Sequence, residues 1–418
     1  MKTSASDRRI PKVKMNELQQ LIMIADYAKR PKIVRGAPGG GKTEGTRSYV
    51  RAMRKKITSS PDLLKKVLSE IPKGAKILSL PVEQQVYGYI DFRLTYFDPT
   101  DIKGFPLLDK EAGVARWLPP SSLPLQRMVD QGEIPARGMW GLEELANAPR
   151  ATQAAIFQAV LDREVAGEPI AAGWCIVATS NSLDDMSVVN PMPAPLVSRF
   201  SHSELSITAG DWCDWAMNPD QDSAASLRIP GGLFPDASKS SSGGIHEKLV
   251  AYIKYKPDAL HSFDPKNWVQ DTPYACPRSV EMLSDAMYAW DALFGGKYPL
   301  YLITSFIGTL VGNEFFAYLD IFTDLPTVDE VLKNPTTAKV PREASGIWAI
   351  NTALARRANR DNADALFAYF ARMEKMFEIA AIKDVLRANK EIQNCSALTQ
   401  HILKPENREI YLALQQSN

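Results

Sequence analysis

Residues 36–43 read GAPGGGKT, a match to GxxxxGK(S/T), and they carry the strongest chemical signal in the chain. The strand-like run KIV precedes them and a helical pattern opens at Thr43, which is the strand-to-helix setting such a loop requires. Gly36, Pro38, Gly39, Gly40 and Gly41 would let the main chain curl so that its N–H groups face the β-phosphate of a nucleotide. The start of the following helix adds a favourable dipole for that anion. Lys42 would then reach the β- and γ-phosphates, and the Thr43 hydroxyl would bind Mg²⁺. ATP and Mg²⁺ are the expected occupants, although these residues do not distinguish ATP from GTP.

Hydrolysis needs a carboxylate near the metal and a group that activates or orients the attacking water. Glu143 and Glu144 stand at the end of the apolar run GMWGL. In the usual pattern the pair is Asp-Glu; here Glu143 takes the metal position with a side chain one methylene longer, and Glu144 is the expected general base. Asp98 and Asp101 are the next carboxylates in line for the metal. The same two glutamates also suit the start of the helix marked by Gln153, Ile156, Phe157, Val160 and Leu161. A further strand, residues 174–179, ends in Ser180-Asn181, and the amide of Asn181 is placed to orient the water or touch the γ-phosphate.

The elements that must hold these groups are legible as a pattern. From residue 14 to about 208, short apolar runs alternate with helical periodicity, which predicts a parallel sheet with helices on both faces. Strands are expected at 32–34, 89–94, 138–142 and 174–179, with ligands at their carboxyl ends. Residues 211–244 shift to Asp, Ser, Pro and Gly, ending in SKSSSGG, which reads as a loop. Helical patterns follow at 246–256, 278–290, 300–322, 343–359 and 361–389. The expected fold is α/β, with domains at 1–208, 209–325 and 326–418.

Composition excludes several classes. At 418 residues the chain fits two or three domains, with 45% hydrophobic and 23% charged residues at globular averages. Lys and Arg total 49 against 48 Asp and Glu, so a net charge of +1 gives no general attraction to nucleic acid or anionic membrane. The one basic stretch is the first 56 residues, where Val50, Met53 and Ile57 mark a buried helix face and leave Arg51, Arg54, Lys55 and Lys56 solvated. Cys175, Cys213, Cys276 and Cys395 are scattered without a CxxC pair, which argues against a zinc site or disulfide framework and favours a reducing cytoplasm. The most apolar stretch, 298–312, is too short to span a membrane.

The order of these pieces resembles the MoxR family of AAA+ ATPases, in the branch with an insert in the second helix of the large domain and a hairpin before sensor 1. Besides GAPGGGKT, the resemblance rests on FDPTDIKGFP (97–106), WLPPSSLP (117–124), GLEELANAPRATQAAIFQAVLDREVAG (141–167), VATSNS (177–182), PAPLVSRF (193–200), DWCDWA (211–216) and CPRSVE (276–281). It implies a P-loop AAA+ large domain, a helical lid from 209 and a helical extension from 326. It further implies that Arg199 is an arginine finger acting in a neighbouring subunit, and that Arg278 is sensor 2 within its own chain. Residues 104–118 and 161–174 would form the two hairpins that touch a client protein. The expected assembly is a hexameric ring, partnered by a client and by a von Willebrand factor A domain protein. Two alternatives belong to other classes: a nucleic-acid-directed NTPase motor, and a non-hydrolysing nucleotide scaffold, against which Glu144 and Arg199 argue.

Overall fold

The computed structural model describes residues 10–111, 113–181, 190–208, 244–320 and 325–415. The Asp/Ser/Pro/Gly-rich segment, DWCDWA with Cys213, and Ser182 lie outside these residues.

Among the described residues, ten strands alternate with helices, and those that frame the site follow one another in chain order. They begin β1 (Lys12–Val13), α1 (Met15–Ala28), β2 (Lys32–Arg35), α2 (Lys42–Thr58), β3 (Gly88–Arg93), β4 (Phe105–Asp109), β5 (Val114–Leu118) and β6 (Gly138–Glu143). Next come α3 (Arg150–Asp162), β7 (Glu164–Val165), β8 (Glu168–Pro169), β9 (Trp174–Ser180), α4 (Ala194–Val197) and β10 (Ser201–Leu205). Six strands form one sheet in the order β1-β10-β2-β9-β6-β3, every pair parallel. The four expected strands are present to within a residue or so at each end. β10 was not foreseen, because SHSEL lacks an apolar run, yet Ser201, His202 and Ser203 are buried.

Register sorts the side chains. Val34, Thr179, Val177, Gly141 and Glu143 share the face covered by α1 and α2. Ile33, Ala178, Ile176, Trp140 and Leu142 pack on the other against Ile156, Ala159 and Val160 of α3. Burial on both faces is why β6 and β9 read as near-continuous apolar runs rather than alternating ones, while β2 is buried throughout although Lys32 and Arg35 close its two ends. The α/β class expected from the sequence is therefore the class observed. Both expected hairpins form as well: β4 pairs antiparallel with β5, and β7 with β8 through Ala166 and Gly167, which both take positive φ as a two-residue turn requires.

Compactness divides the chain into Met1–Ser242 with His261–Gly312, and Gly243–Leu260 with Asn313–Asn418. These borders differ from 208 and 325. The first unit takes in α6 (Pro277–Leu293), since Arg30 at the end of α1 donates to Asp285 at 2.6 Å and to Glu281 at 2.7 Å. The second unit draws α5 (Glu247–Tyr255) against α8 (Ala344–Arg357), and has its own core through Ile350, Leu354, Phe367, Ile382 and Val385. Between them in sequence, α7 (Leu300–Leu319) is long and apolar enough to cross a membrane, but over half of its most apolar window is buried within the protein. It breaks at Gly308, where φ is 76° and a Cβ would lie 2.4 Å from the Pro273 carbonyl oxygen. The helix expected over 361–389 is two, Ala363–Phe370 and Lys375–Ala388, parted where the Arg372 guanidinium turns to donate to the carbonyls of Pro335 and Ala338.

Lys32 of β2 is fully buried, and its Nζ has no hydrogen-bond partner among the described residues. Burial pulls its pKa down to about 7. The unfolded chain keeps the proton to a pH of about 10.4, so wild-type stability rises with pH between the two values, and below the lower one the buried charge costs its full amount. Lys32→Met is expected to raise the thermal midpoint by about 3 °C or more at neutral pH, with the gain shrinking toward a pH of about 10. An equal gain at both ends of that range in paired melting curves would contradict this account.

Candidate functional site

The glycine-rich loop leaves β2 at Gly36, whose φ of 152° and close approach to the Leu205 carbonyl (2.9 Å from a built Cβ) exclude a side chain. The loop folds back through Gly40 N–H donating to the Ala37 carbonyl at 3.1 Å. Gly41, at φ 77°, is the residue before the first turn of α2, a left-handed position that glycine occupies without strain. Lys42 and Thr43 open that helix. Lys42 Nζ folds inward over the loop, donating to the Gly36 and Ala37 carbonyls at 2.8 Å each and to Asn181 Oδ1 at 3.1 Å.

Glu143 closes β6 with only 3% of its surface exposed. One step of register beyond Leu142↔Ala178 brings it level with Thr179, and the same sheet face looks onto the first turn of α2. Its Oε2 accepts from Thr43 Oγ1 at 2.6 Å and from Thr179 Oγ1 at 2.5 Å, while Oε1 accepts from Tyr89 Oη at 3.3 Å. Gly141 makes room for this crossing, since a Cβ there would stand 3.0 Å from the Tyr89 hydroxyl and 3.3 Å from Glu143 Oε1. Burial, then the Glu143 charge, pushes the Tyr89 phenol well above its usual range, so it stays a donor. A hydroxyl and a carboxylate 2.6 Å apart, with no nitrogen or sulfur between them, form an oxygen donor set that suits Mg²⁺.

Glu144 follows in a left-handed conformation, φ 61° and ψ 37°. Few non-glycine residues adopt it, and here it turns the side chain out of the strand's alternation into solvent. Its N–H donates to Thr179 Oγ1 at 3.2 Å, and its Oε2 accepts from Thr95 Oγ1 at 3.2 Å. Thr179 thus donates to one glutamate and accepts from the next.

Of the residues singled out from the sequence, the structure brings Lys42, Thr43, Glu143, Glu144 and Asn181 into one cluster with the glycine loop. Arg199 and Arg278 form another. Arg199 is 7% exposed, its guanidinium 4.4 Å over the Phe157 ring and donating through Nη1 to the Pro195 carbonyl. Burial, then the like charge of Arg278, lowers its pKa. Arg278 is exposed and donates to Ser198 Oγ at 3.2 Å, one residue from Arg199. No hydrogen bond or ion pair among the described residues joins either arginine to Glu143 or Glu144. Asp98 and Asp101 are spent on capping the short helix Pro99–Lys103. Sequence reasoning missed Thr179, Thr95 and Tyr89. The first could have been found by aligning the two strand tips, because a buried glutamate demands a donor at the level where β9 carries its only threonine.

No protein-family model and no curated protein matches the chain. Among solved structures it is similar to a "putative ATPase" of Cytophaga hutchinsonii, at 13% identity and a TM-score of 0.41, over 67% of this chain and 75% of that one. It is also similar to a full-length MCM homolog of Methanopyrus kandleri, at 12% identity and a TM-score of 0.31, over 72% of this chain and 53% of that one.

Thr179→Val removes a donor from a buried carboxylate and an acceptor from the Glu144 N–H, and is expected to cost about 1–3 kcal/mol of stability. Thr179→Ser, which keeps the hydroxyl, should restore most of it. Denaturant unfolding of the three proteins checks this, and a valine variant as stable as wild type would contradict the role given to the hydroxyl.

Proposed function

We propose that this chain is a Mg²⁺-dependent ATPase of the AAA+ kind. The observation that carries the reading is the pairing of Glu143 with both Thr43 and Thr179, with Glu144 beside them and open to solvent. Any buried carboxylate needs donors, but this one takes a donor from the first turn of the helix that follows a glycine loop, which is where a phosphate-bound metal would be held.

The chemistry follows from the residues. Loop N–H groups and the start of α2 face the β-phosphate. Lys42 exchanges the carbonyls of Gly36 and Ala37 for phosphate oxygens, so a charge already paid for in hydrogen bonds moves to stronger acceptors. Thr43 and Glu143 would hold Mg²⁺, which would supply positive charge to offset the negative charge of the phosphates. Glu144 takes the proton of the attacking water; Thr95 holds its carboxylate until then. Asn181, already on Lys42, is placed to orient that water or the γ-phosphate.

The assembly is a further part of the proposal: a ring of identical subunits, hexameric by resemblance, in the cytoplasm, remodelling a client protein with a von Willebrand factor A domain partner. Arg199 would leave Phe157 to reach a neighbour's phosphate, and Arg278 would act as sensor 2. Apolar exposure on β4 and β5, with Leu108 at 72%, supports client contact by that hairpin.

Steady-state hydrolysis at several protein concentrations tests the reading. Wild type should turn over ATP at a rate per subunit that rises as rings assemble. Lys42→Ala should lose nucleotide affinity, whereas Glu144→Gln should bind normally and fall about 100-fold or more in rate. Glu144→Gln at wild-type rate would remove the base assignment, and no turnover by wild type would end the ATPase reading.

A further inference from the structure

Arg35 is the last residue of β2, immediately before Gly36, and its side chain is buried. Its Nη1 donates to Asp271 Oδ2 at 3.3 Å, while Nε and Nη2 find no hydrogen bond among the described residues. Asp271 is fully buried and stands at φ 62°, a left-handed position. Its other oxygen, Oδ1, accepts from the Met192 N–H at 3.0 Å and from Gln270 Nε2 at 3.3 Å. Gln270 Nε2 also donates to the Met192 carbonyl at 3.0 Å, so both main-chain groups of Met192 are held from this one turn.

Three segments therefore meet at one carboxylate. The first is the strand that feeds the phosphate loop. The second leads from Met192 through Pro193 into α4 and on to Arg199; it begins at Asn190, whose N–H donates to the carbonyl of Ala146, two residues after Glu144. The third runs from Asp271 into α6, where Arg278 stands in the first turn, and Tyr274 Oη on the way donates to the Ala194 carbonyl at 3.1 Å. A buried ion pair adds little to stability relative to an apolar replacement, and its best-attested use is to fix one arrangement among several. A non-glycine residue held in the left-handed region points the same way, toward a constraint kept for a purpose.

We propose that Asp271 is a positioning residue for the reaction: through Arg35 and Met192 it sets where Arg199 and Arg278 lie relative to the phosphate loop. The inference rests on the ATPase reading above. Asp271 touches no substrate, and acts through the two arginines.

The test compares wild type, Asp271→Asn, the neutral pair Arg35→Met with Asp271→Asn, Arg278→Ala, and Asp271→Asn with Arg278→Ala. Asparagine tolerates the left-handed backbone and keeps an acceptor for Met192. Each protein is read for thermal midpoint, for nucleotide affinity by direct titration, and for kcat per nucleotide-binding molecule. Asp271→Asn and the neutral pair are each expected to lower kcat by about 10- to 100-fold while nucleotide affinity stays within about 3-fold. Adding Arg278→Ala to Asp271→Asn should cost little more, since the arginine is already misplaced. Should the lone Asp271→Asn fail to fold with Arg35 left uncompensated, the neutral pair decides. Wild-type kcat in the folded variants, or a fully additive Arg278→Ala, would reduce Asp271 to a packing role and overturn the proposal alone. No turnover by wild type would overturn the ATPase reading and this inference with it.

Discussion

Burying a carboxylate between a helix and a sheet costs several kcal/mol unless donors meet it, and at Glu143 three do. Thr43 comes from the first turn of α2, Thr179 from the tip of β9 and Tyr89 from β3. Because each donor arrives on a different element, satisfying one side chain fixes the helix that follows the glycine loop against three strands of the sheet. The rest of the site inherits that geometry. Lys42 precedes Thr43 and is thereby aimed back over the loop at Asn181; Glu144 follows Glu143 and is turned outward by its left-handed backbone. A group that is buried and hydrogen-bonded thus ends up beside one that is exposed, so the two adjacent carboxylates sit in different environments, as the proposed hydrolysis would require of them.

Much of this was legible in the sequence, for reasons that can be named. A glycine loop between an apolar run and a helix has few other uses, so the loop, Lys42 and Thr43 could be placed without coordinates. Parallel strands buried on both faces announce themselves as apolar runs, which is why β6 and β9 were found; β2 was marked by Ile33 and Val34 ahead of the glycine loop, and β3, at the sheet edge with Asp91 and Arg93 exposed, by Tyr89, Ile90 and Phe92. β10 was not, since Ser201, His202 and Ser203 are buried polar residues that no periodicity reveals. The donors of Glu143 were missed because they are set by register across strands, and register is a three-dimensional quantity. The same holds for Asp271, an unremarkable acid in a polar stretch until the fold brings it against Arg35.

The two arginines show the opposite balance. Their positions were marked by resemblance to a family, and in the folded chain they lie near each other, one packed on Phe157 and the other beside Ser198. Arg199 is poised on an aromatic shelf rather than projected outward, so any reach toward a neighbouring site begins with release from Phe157 and the Pro195 carbonyl.

In the proposed mechanism the Glu143 carboxylate, shared by Thr43 and Thr179, is the metal-holding group of a nucleotide site. Nucleotide affinity measured by titration with Mg²⁺ and again in excess chelator, for wild type and for Glu143→Gln, addresses it most directly. Wild type should bind about 10-fold or more tightly with the metal, and the glutamine variant, which keeps the shape and loses the charge, should erase most of that difference. An undiminished metal dependence in Glu143→Gln would contradict it.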